Sequence, residues 1–368
     1  MSFNVRGSFR DRGTANSWRN RAALNVATIK RHAPDLIGLQ EVQVCNRRAY
    51  RKMLSGYEEI RGPKYGNAPP FDFNVILFDP KRLEALDSGG FWLSETPETF
   101  SKSWQTRVVR SANWALFKVV GEDLNILHLN THLDHVSGAA RLEGTRLILR
   151  KLMELAGRHG GEPTIVVTGD FNARPGSPPY LTFVEGGFAD TYLAAGGEER
   201  PDANTFHAFK GTGYREARPR PKPRRIDWIL LRDPLALLRP ASHRIVRDHD
   251  ETTGTYPSDH YPVFADLLPS SEVRGSGHRV SSRVGQGMQV FGKTRSQGGK
   301  NVMSVATVTE LSAVSSESFE AAIQEGIQRA TSTLRNVESA WIKDMNVMIE
   351  NGSVTGYKVN MEITFVLE

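Results

Sequence analysis

The sequence predicts a layered α/β domain over residues 1–268, a basic tether over 269–300 and a compact β-α-β-β module over 301–368. Three observations carry this reading. Short β-type runs alternate with helix-like runs before residue 269. A stretch rich in Gly, Ser and Arg, SSEVRGSGHRVSSRVGQGMQVFGKTRSQGGK, then lacks any regular apolar period. Charge also changes from segment to segment. Residues 1–268 hold 37 basic and 31 acidic side chains, 269–300 hold 6 and 1, and 301–368 hold 4 and 9. The formal net charge of +6 therefore hides three segments of different character.

In the first segment, Leu36–Leu39, Val75–Phe78, Leu124–Leu129, Thr164–Val167 and Ile226–Leu231 are short apolar runs of strand length. Arg21–Arg31 and Ala140–Ala156 carry helical spacing. In the second of these, Leu142, Leu147, Ile148, Leu152 and Leu155 mark one apolar face. The tether cannot bury enough apolar surface to offset its ordering entropy, although Met288–Phe291 at its end can add a short strand to a neighbour. In the last segment, Ser315 reads as a helix N-cap with Glu317 in the first turn. Phe319, Ala322, Ile323, Ile327, Ala330 and Leu334 follow at helical spacing. Tyr357, Val359, Met361, Ile363, Phe365 and Leu367 then alternate with mostly polar residues, the pattern of a half-buried strand. Asn351-Gly352 is a hairpin signal just before it.

Composition excludes several classes. Apolar residues make up 39% and charged residues 24% of the 368, so the chain as a whole is neither disordered nor collagenous nor a coiled coil. No apolar run approaches the ~18 residues a transmembrane helix needs. The single cysteine, Cys45, cannot form an intrachain disulfide. The expected compartment is the cytoplasm. Because the first strand begins almost at Met1, an upstream signal peptide stays open.

Acidic, amide and histidine residues recur at the ends of the apolar runs. They are Asn4 in SFNVR, Glu41 in IGLQEV, His132 in LNTHLDH, Asp170 and Asn172 in VVTGDFN, Asp227 in RRIDWIL, and Asp259-His260 in YPSDHYPV. Strand ends are where α/β folds gather ligand-binding groups. Taken singly, each is an ordinary surface, turn or core residue. Taken in this order and spacing, they resemble the endonuclease/exonuclease/phosphatase superfamily, also called the DNase I-like fold. The resemblance covers residues 1–268, and FWLSETP at 91–97 resembles a bacterial branch.

The resemblance implies a four-layer α/β sandwich, two packed mixed β-sheets flanked by helices. It implies metal-dependent phosphoester hydrolysis, which needs a water nucleophile, neutralised phosphate oxygens and a stabilised leaving oxygen. Mg²⁺ suits hard oxygen ligands and few protein carboxylates, with Mn²⁺ as the other candidate. By resemblance, Glu41 is the principal metal ligand, with Asn4 and Asp259 close by. Asp170 orients or deprotonates the attacking water, and Asn172 hydrogen-bonds a phosphate oxygen. His260, polarised by Asp227, contacts the phosphoryl group. His132 sits opposite, donating to the phosphate or leaving group. Asp72, in PPFDFNVILF, falls where the superfamily often has a Glu partnering that histidine. His135 and Arg141 lie near this set, and Asp134 has an equal claim to be a loop residue.

Residues 215–225, REARPRPKPRR, place six basic side chains among prolines just before Asp227. Such a segment is extended and attracts a polyanion, or is a solvated loop. A phosphodiesterase or nuclease is therefore expected. A phosphomonoesterase, or a hydrolase of phospholipid or sugar phosphates, is the alternative. Residues 301–368 resemble dodecins through SSESFEAAIQEGIQRA, TLRNVE and ITFVLE. That resemblance implies a homo-oligomer, a hollow dodecamer, clustering the catalytic domains. Dodecins often bind flavins through a Trp after the helix and a Gln in the last strand. Ser339 and Lys358 hold those places here, with Trp341 as a substitute, so a scaffold is expected more than a flavin store. The reading of another class is a flavin-binding or scaffold protein with a vestigial catalytic domain.

Overall fold

The computed structural model describes residues 1–63, 73–159, 163–200, 202–214, 224–270, 305–333, 335, 337–350 and 353–367. Asp72, residues 215–223, Met288–Phe291, Leu334 and Asn351-Gly352 lie outside the described residues. The chain divides into two compact units, Met1–His278 and Arg279–Glu368.

The first unit holds two six-stranded sheets. One contains β1 (Ser2–Asn4), β2 (Leu36–Val42), β3 (Glu58–Arg61), β4 (Phe73–Phe78), β11 (Leu238–Ile245) and β12 (Val263–Pro269), in the order β11-β12-β1-β2-β4-β3. The other contains β5 (Leu83–Trp92), β6 (Ser111–Val119), β7 (Asn125–His132), β8 (Thr164–Asp170), β9 (Ala189–Asp190) and β10 (Asp227–Arg232), in the order β5-β6-β7-β8-β10-β9. Each sheet has one parallel pair, β1 with β2 and β7 with β8, so both are mixed.

The cores show the layering. Trp18, Val26 and Ile29 of α1 (Trp18–His32) and Tyr50 of α2 (Val44–Met53) pack with Phe3, Ile37, Leu39 and Val75 on the first sheet. Leu147, Ile148, Leu152 and Leu155 of α3 (Gly138–Arg158) pack with Tyr180 and Phe183 of α4 (Pro178–Glu185) on Leu127, Leu129, Val167 and Trp228 of the second. Between the sheets lie Ile126, Val166 and Ile229 with Val263, and Ile76 and Phe78 with Ala115 and Phe117. Helices, sheet, sheet, helices is the expected four-layer sandwich. A short α5 (Thr191–Ala194) sits between β9 and β10.

Local chemistry explains the helix ends. Ser137 Oγ accepts from Ala140 N at 3.1 Å and starts α3. Gln43 and Asn46 form a reciprocal capping box at α2. Ala33 takes a left-handed conformation, φ 39°, and ends α1 just before Pro34. Of the expected apolar face of α3, Leu142 is half-buried and the other three leucines and the isoleucine are buried.

The second unit is a three-stranded sheet, order β13-β15-β14, with one helix. The elements are β13 (Val305–Ser315), α6 (Phe319–Thr333), β14 (Val337–Glu350) and β15 (Ser353–Leu367). Ala313, Ala322, Ala330, Val359, Met361 and Ile363 form its small core. The expected N-cap is corrected. The helix begins at Phe319, so Ser318 is the capping residue, and its Oγ accepts from Ala321 N at 3.1 Å. Ser315 instead accepts from Glu317 N at 3.1 Å in the turn before it. β14 and β15 pair antiparallel around the Asn-Gly position, Glu350 opposite Ser353. Trp341 lies in β14, opposite Glu362.

Candidate active site

Strand register gathers the first group of side chains. His132 ends β7, Asp170 ends β8, and Asp227 begins β10. Parallel pairing sets His132 opposite Asp170, and antiparallel pairing sets Asp227 opposite Asp170. From the other sheet come Asn4, ending β1, and Glu41, near the end of β2. Glu41 has a left-handed φ of 60°, at a register shift between Leu39 and Val42. That conformation is rare for a residue with a Cβ, and such strain concentrates at functional positions.

The seam between the sheets is bridged by side chains. Asn4 Nδ2 donates to Asp170 Oδ2 at 2.9 Å and to Glu41 Oε1 at 3.1 Å. The Ser258-Asp259-His260 loop closes the group. His260 Nδ1 meets Asp227 Oδ2 at 2.9 Å, and its Nε2 lies 3.7 Å from Asp170 Oδ2. His132 Nε2 lies 3.3 Å from the same Asp170 oxygen. Asn172 N donates to Asp170 Oδ1 at 3.0 Å, and its amide donates to Leu133 O and His132 Nε2. Thus Asn4, Glu41, His132, Asp170, Asn172, Asp227 and His260 come together. Asp259 joins through Arg6, whose guanidinium is 3.2 Å from its Oδ2.

Electrostatics divides these groups. Burial and the neighbouring Asp227 push Asp170 up to about 7, against the pull of His260 and Asn4. Burial alone would lower His260, but Asp227 and Asp170 carry it up to about 10. Burial, with Arg110, holds His132 well below its ordinary value, so it is neutral. With Asn172 donating to Nε2, its proton sits on Nδ1. Burial would raise Glu41, yet Arg10, the Asn4 amide and His260 hold it below the usual carboxylate range. Arg10 Nε lies 3.2 Å from Glu41 Oε2. Burial raises Asp259, against the pull of His260 and Arg6. A carboxyl near 7 beside an imidazolium is the pairing general base catalysis requires at neutral pH.

Among the described residues, Asp170, Asp227 and His260 set ligand atoms within 4.8 Å of one another. This trio differs from the expected ligand set of Asn4, Glu41 and Asp259. His260 lies between two carboxylates that raise it, so an ion held by this trio would displace its proton. Glu41 and Asp259 carry carboxylate oxygens of the kind a hard cation takes, here paired with Arg10 and Arg6, while Asn4 turns its Nδ2 toward Glu41 and Asp170 and its Oδ1 accepts from Arg6 N.

Three neighbours of the set behave differently. Asp134 is buried and accepts from Thr106 Oγ1, Val136 N and Ser137 N, each at 2.8 Å, so it is the organiser of its loop. His135 is exposed and meets Arg110 at 3.3 Å. Arg141 donates to Asp134 O at 2.9 Å and lines a cleft of about 1000 Å³ that shares Asn172 with the cluster. A second cavity, about 430 Å³, lies away from the cluster and is lined by His32, His128 and Thr168.

Sequence reasoning missed Arg6, Arg10 and Thr205. Thr205 Oγ1 accepts from Ile226 N at 2.9 Å and Asp227 N at 3.1 Å, while its carbonyl accepts from Tyr261 N at 2.7 Å. It thereby ties both halves of the Asp227–His260 pair. Arg6 stands in the quoted FNVR motif. Nothing in NTFHAF marks Thr205 apart from any loop threonine.

Residues 305–368 match the Dodecin family model. A probable RNA exonuclease of Saccharomyces cerevisiae, NGL3, is 26% identical over 193 residues, covering 49% of this chain and 37% of that protein. The chain thus spans little more than a third of that curated relative. A mannosyl-6-phosphatase of Bacteroides thetaiotaomicron, Bt3783, superposes with a TM-score of 0.64 at 26% identity, covering 73% of this chain and 98% of that one. An endonuclease/exonuclease/phosphatase of Bacteroides vulgatus superposes with a TM-score of 0.62 at 29% identity, covering 73% and 97%. The sandwich, its strand-end cluster and a family-model match over residues 1–260 agree: the chain belongs to the Endonuclease/Exonuclease/phosphatase family.

Proposed function

We propose that the protein is a Mg²⁺-dependent phosphoester hydrolase acting on phosphodiesters, a nuclease in the broad sense. The observation that carries this is the shared position of Asp170, with Asn4 on one side and His260 on the other. Glu41 and Asp259 would hold the ion, with Asn4 close by, and the ion when bound supplies positive charge to phosphate oxygens and acidity to water. Asp170, near 7, takes the proton of the attacking water. His260, charged at neutral pH, stabilises the negative charge that grows on the phosphoryl oxygens. Asp227 keeps the imidazole charged and oriented. His132, neutral and held by Asn172, lies beside Asp170 on the opposite side.

The test is hydrolysis of single-stranded DNA, duplex DNA, RNA, sphingomyelin and sugar phosphates, with and without Mg²⁺. Full Mg²⁺-dependent diester hydrolysis by Asp170→Ala or His260→Ala sinks the reading. One finding favours a second reading, phosphomonoester hydrolysis. The likeness to Bt3783, titled a mannosyl-6-phosphatase, covers nearly all of that chain. Release of phosphate from mannose 6-phosphate, with no cleavage of any diester, would establish it.

The C-terminal unit is proposed as an assembly module, most simply a dodecamer. Its core is small, and Met345, Val347, Met348, Ile349 and Val354 are exposed on β14 and β15. Burial against further copies of the same module would cover them. A monomeric mass by light scattering of the full chain would end this proposal.

A further inference from the structure

Beside the catalytic cluster, the cleft that shares Asn172 is basic. Arg141, Arg174 and Arg224 line it, with Tyr214 and Ser177. The guanidiniums come from three separate elements: α3, the loop after β8, and the segment entering β10. Gly138 and Ala139, the first residues of α3, also face it, so the positive end of that 21-residue helix dipole is directed there. Among the described residues, Ser177 Oγ is buried without a hydrogen-bond partner. Pro178 and Pro179, the first two residues of α4, offer it no N–H. Among the described residues, no carboxylate side chain lines the cleft. Arg224 Cζ lies over the Phe206 ring, 4.4 Å from its centre, and its guanidinium donates to the Tyr214 hydroxyl at 3.2 Å, so it is fixed in place.

The geometry points to a second-phosphate subsite, and we propose that it holds the neighbouring nucleotide of a nucleic-acid strand while the adjoining diester lies at Asp170 and His260. A phosphate alone would leave most of about 1000 Å³ empty. A nucleotide brings a sugar and a base as well, and Tyr214 supplies an aromatic wall on which a base can stack. Arginine serves here because its planar fork meets phosphate oxygens in pairs. This rests on the hydrolase reading and names its substrate class, since a simple phosphomonoester has nothing to place in the second site.

Binding is measured apart from turnover. A fluorescent single-stranded oligonucleotide is titrated with the full chain in EDTA, over a range of salt, by anisotropy. Arg174→Gln and the double variant Arg141→Gln/Arg174→Gln are compared with the unmodified protein. The expected result is weaker binding by about tenfold in the single variant and more in the double. The slope of log affinity against log salt falls by about 0.7 for each arginine removed. In Mg²⁺, the ratio of kcat/KM for the oligonucleotide to that for bis(4-nitrophenyl) phosphate falls at least tenfold. An unchanged salt slope in both variants overturns the inference, as does equal loss on both substrates. Binding of fructose 1,6-bisphosphate with the same arginine dependence, without oligonucleotide binding, also overturns it. Arginine-dependent strand binding with no hydrolysis of any ester sustains the subsite and overturns the hydrolase reading instead.

Discussion

Asp227→Asn removes one charge and little else. The amide keeps the shape of the side chain, and the backbone N–H to Thr205 is untouched. Its oxygen still accepts from His260 Nδ1, whose distance to Asp227 Oδ2 is 2.9 Å. What disappears is the charge that, together with Asp170, carries the imidazole from 6.5 to about 10 against its burial. A rise of that size corresponds to about 5 kcal/mol in favour of the charged form. Asp170 remains, so part of it survives, and the variant's His260 is expected to titrate below about 8. A raised histidine stabilises the fold fully below its unfolded value, and that stability is lost as pH rises through the folded value. The stability gap between the two proteins is therefore widest below 6.5, on the order of 2–5 kcal/mol. It closes as pH approaches 10. Asp170 loses the neighbour that raises it, which moves the acid limb of the rate profile downward. The deciding assay is an NMR titration of the His260 ring in metal-free protein, with urea unfolding at pH 6 and 9.5. A variant imidazole still titrating near 10, or a gap that stays constant with pH, refutes the reasoning.

Thr205→Val keeps the volume but leaves two buried N–H groups without their acceptor, at a cost of about 2–4 kcal/mol. Thermal unfolding reads the loss, and kcat should fall more steeply than KM rises because Asp227 is released; unchanged stability would contradict the assigned bonds. Gly38→Ala sets a methyl group against Thr168 Oγ1 and Asn130 Oδ1, where no space exists. Overpacking there should cost about 1–3 kcal/mol in urea unfolding, and a neutral result would show that the sheets separate freely. His128 and His207 are driven down to about 3, chiefly by burial. The unfolded chain binds their protons near 6.5 and the folded chain does not, so stability present above 6.5 is lost as pH falls toward 3. The slope is up to about 1.4 kcal/mol per pH unit for each histidine. His128→Gln should flatten it by one histidine's share between pH 4 and 6, and an unaltered slope counts against neutral burial.

The elements legible in the sequence are those with one covered face or a distinct cap. The apolar stripe of α3 packs on one side only, so its period survives in the residue order. β6 does not show itself, because SANWALFKV is covered on both faces and nearly all of it is buried, which erases alternation. β11 fails for the opposite reason. Its half-exposed LRPASHRI carries a proline and scattered charge, an edge pattern rather than a core one. The candidate site was legible as residue types at strand ends. Its contacts were not, since the left-handed turn at Glu41 and the Thr205 bonds depend on neighbours far along the chain. Arg10 on Glu41 carries no local signal at all, and Arg6 on Asp259 shows only as the last letter of FNVR.

The position of the cluster at a seam explains an otherwise costly interior. Asn4 and Glu41 belong to one sheet, and His132, Asp170 and Asp227 to the other. The proposed catalysis would therefore depend on how the sheets are set against each other, which apolar packing fixes only loosely. Beneath the site, polar groups cross the seam. Gln40 Nε2 donates to Asn130 Oδ1 at 2.7 Å, and Asn130 Nδ2 donates to Leu39 O at 2.9 Å and Val75 O at 3.2 Å. Thr168 bonds the same Asn130 oxygen at 3.3 Å and accepts from His128 Nε2 at 2.9 Å. A buried network of this kind adds little net stability compared with apolar residues of equal volume. Its bonds have direction, however, and one strand step of sliding would break those from Asn130 to Gln40, Leu39 and Val75. The bond from Asn4 to Asp170 is the last rung of the same ladder. The polar interior and the active site are thus one construction, in which the lower rungs hold the sheets at the offset that the top rung requires.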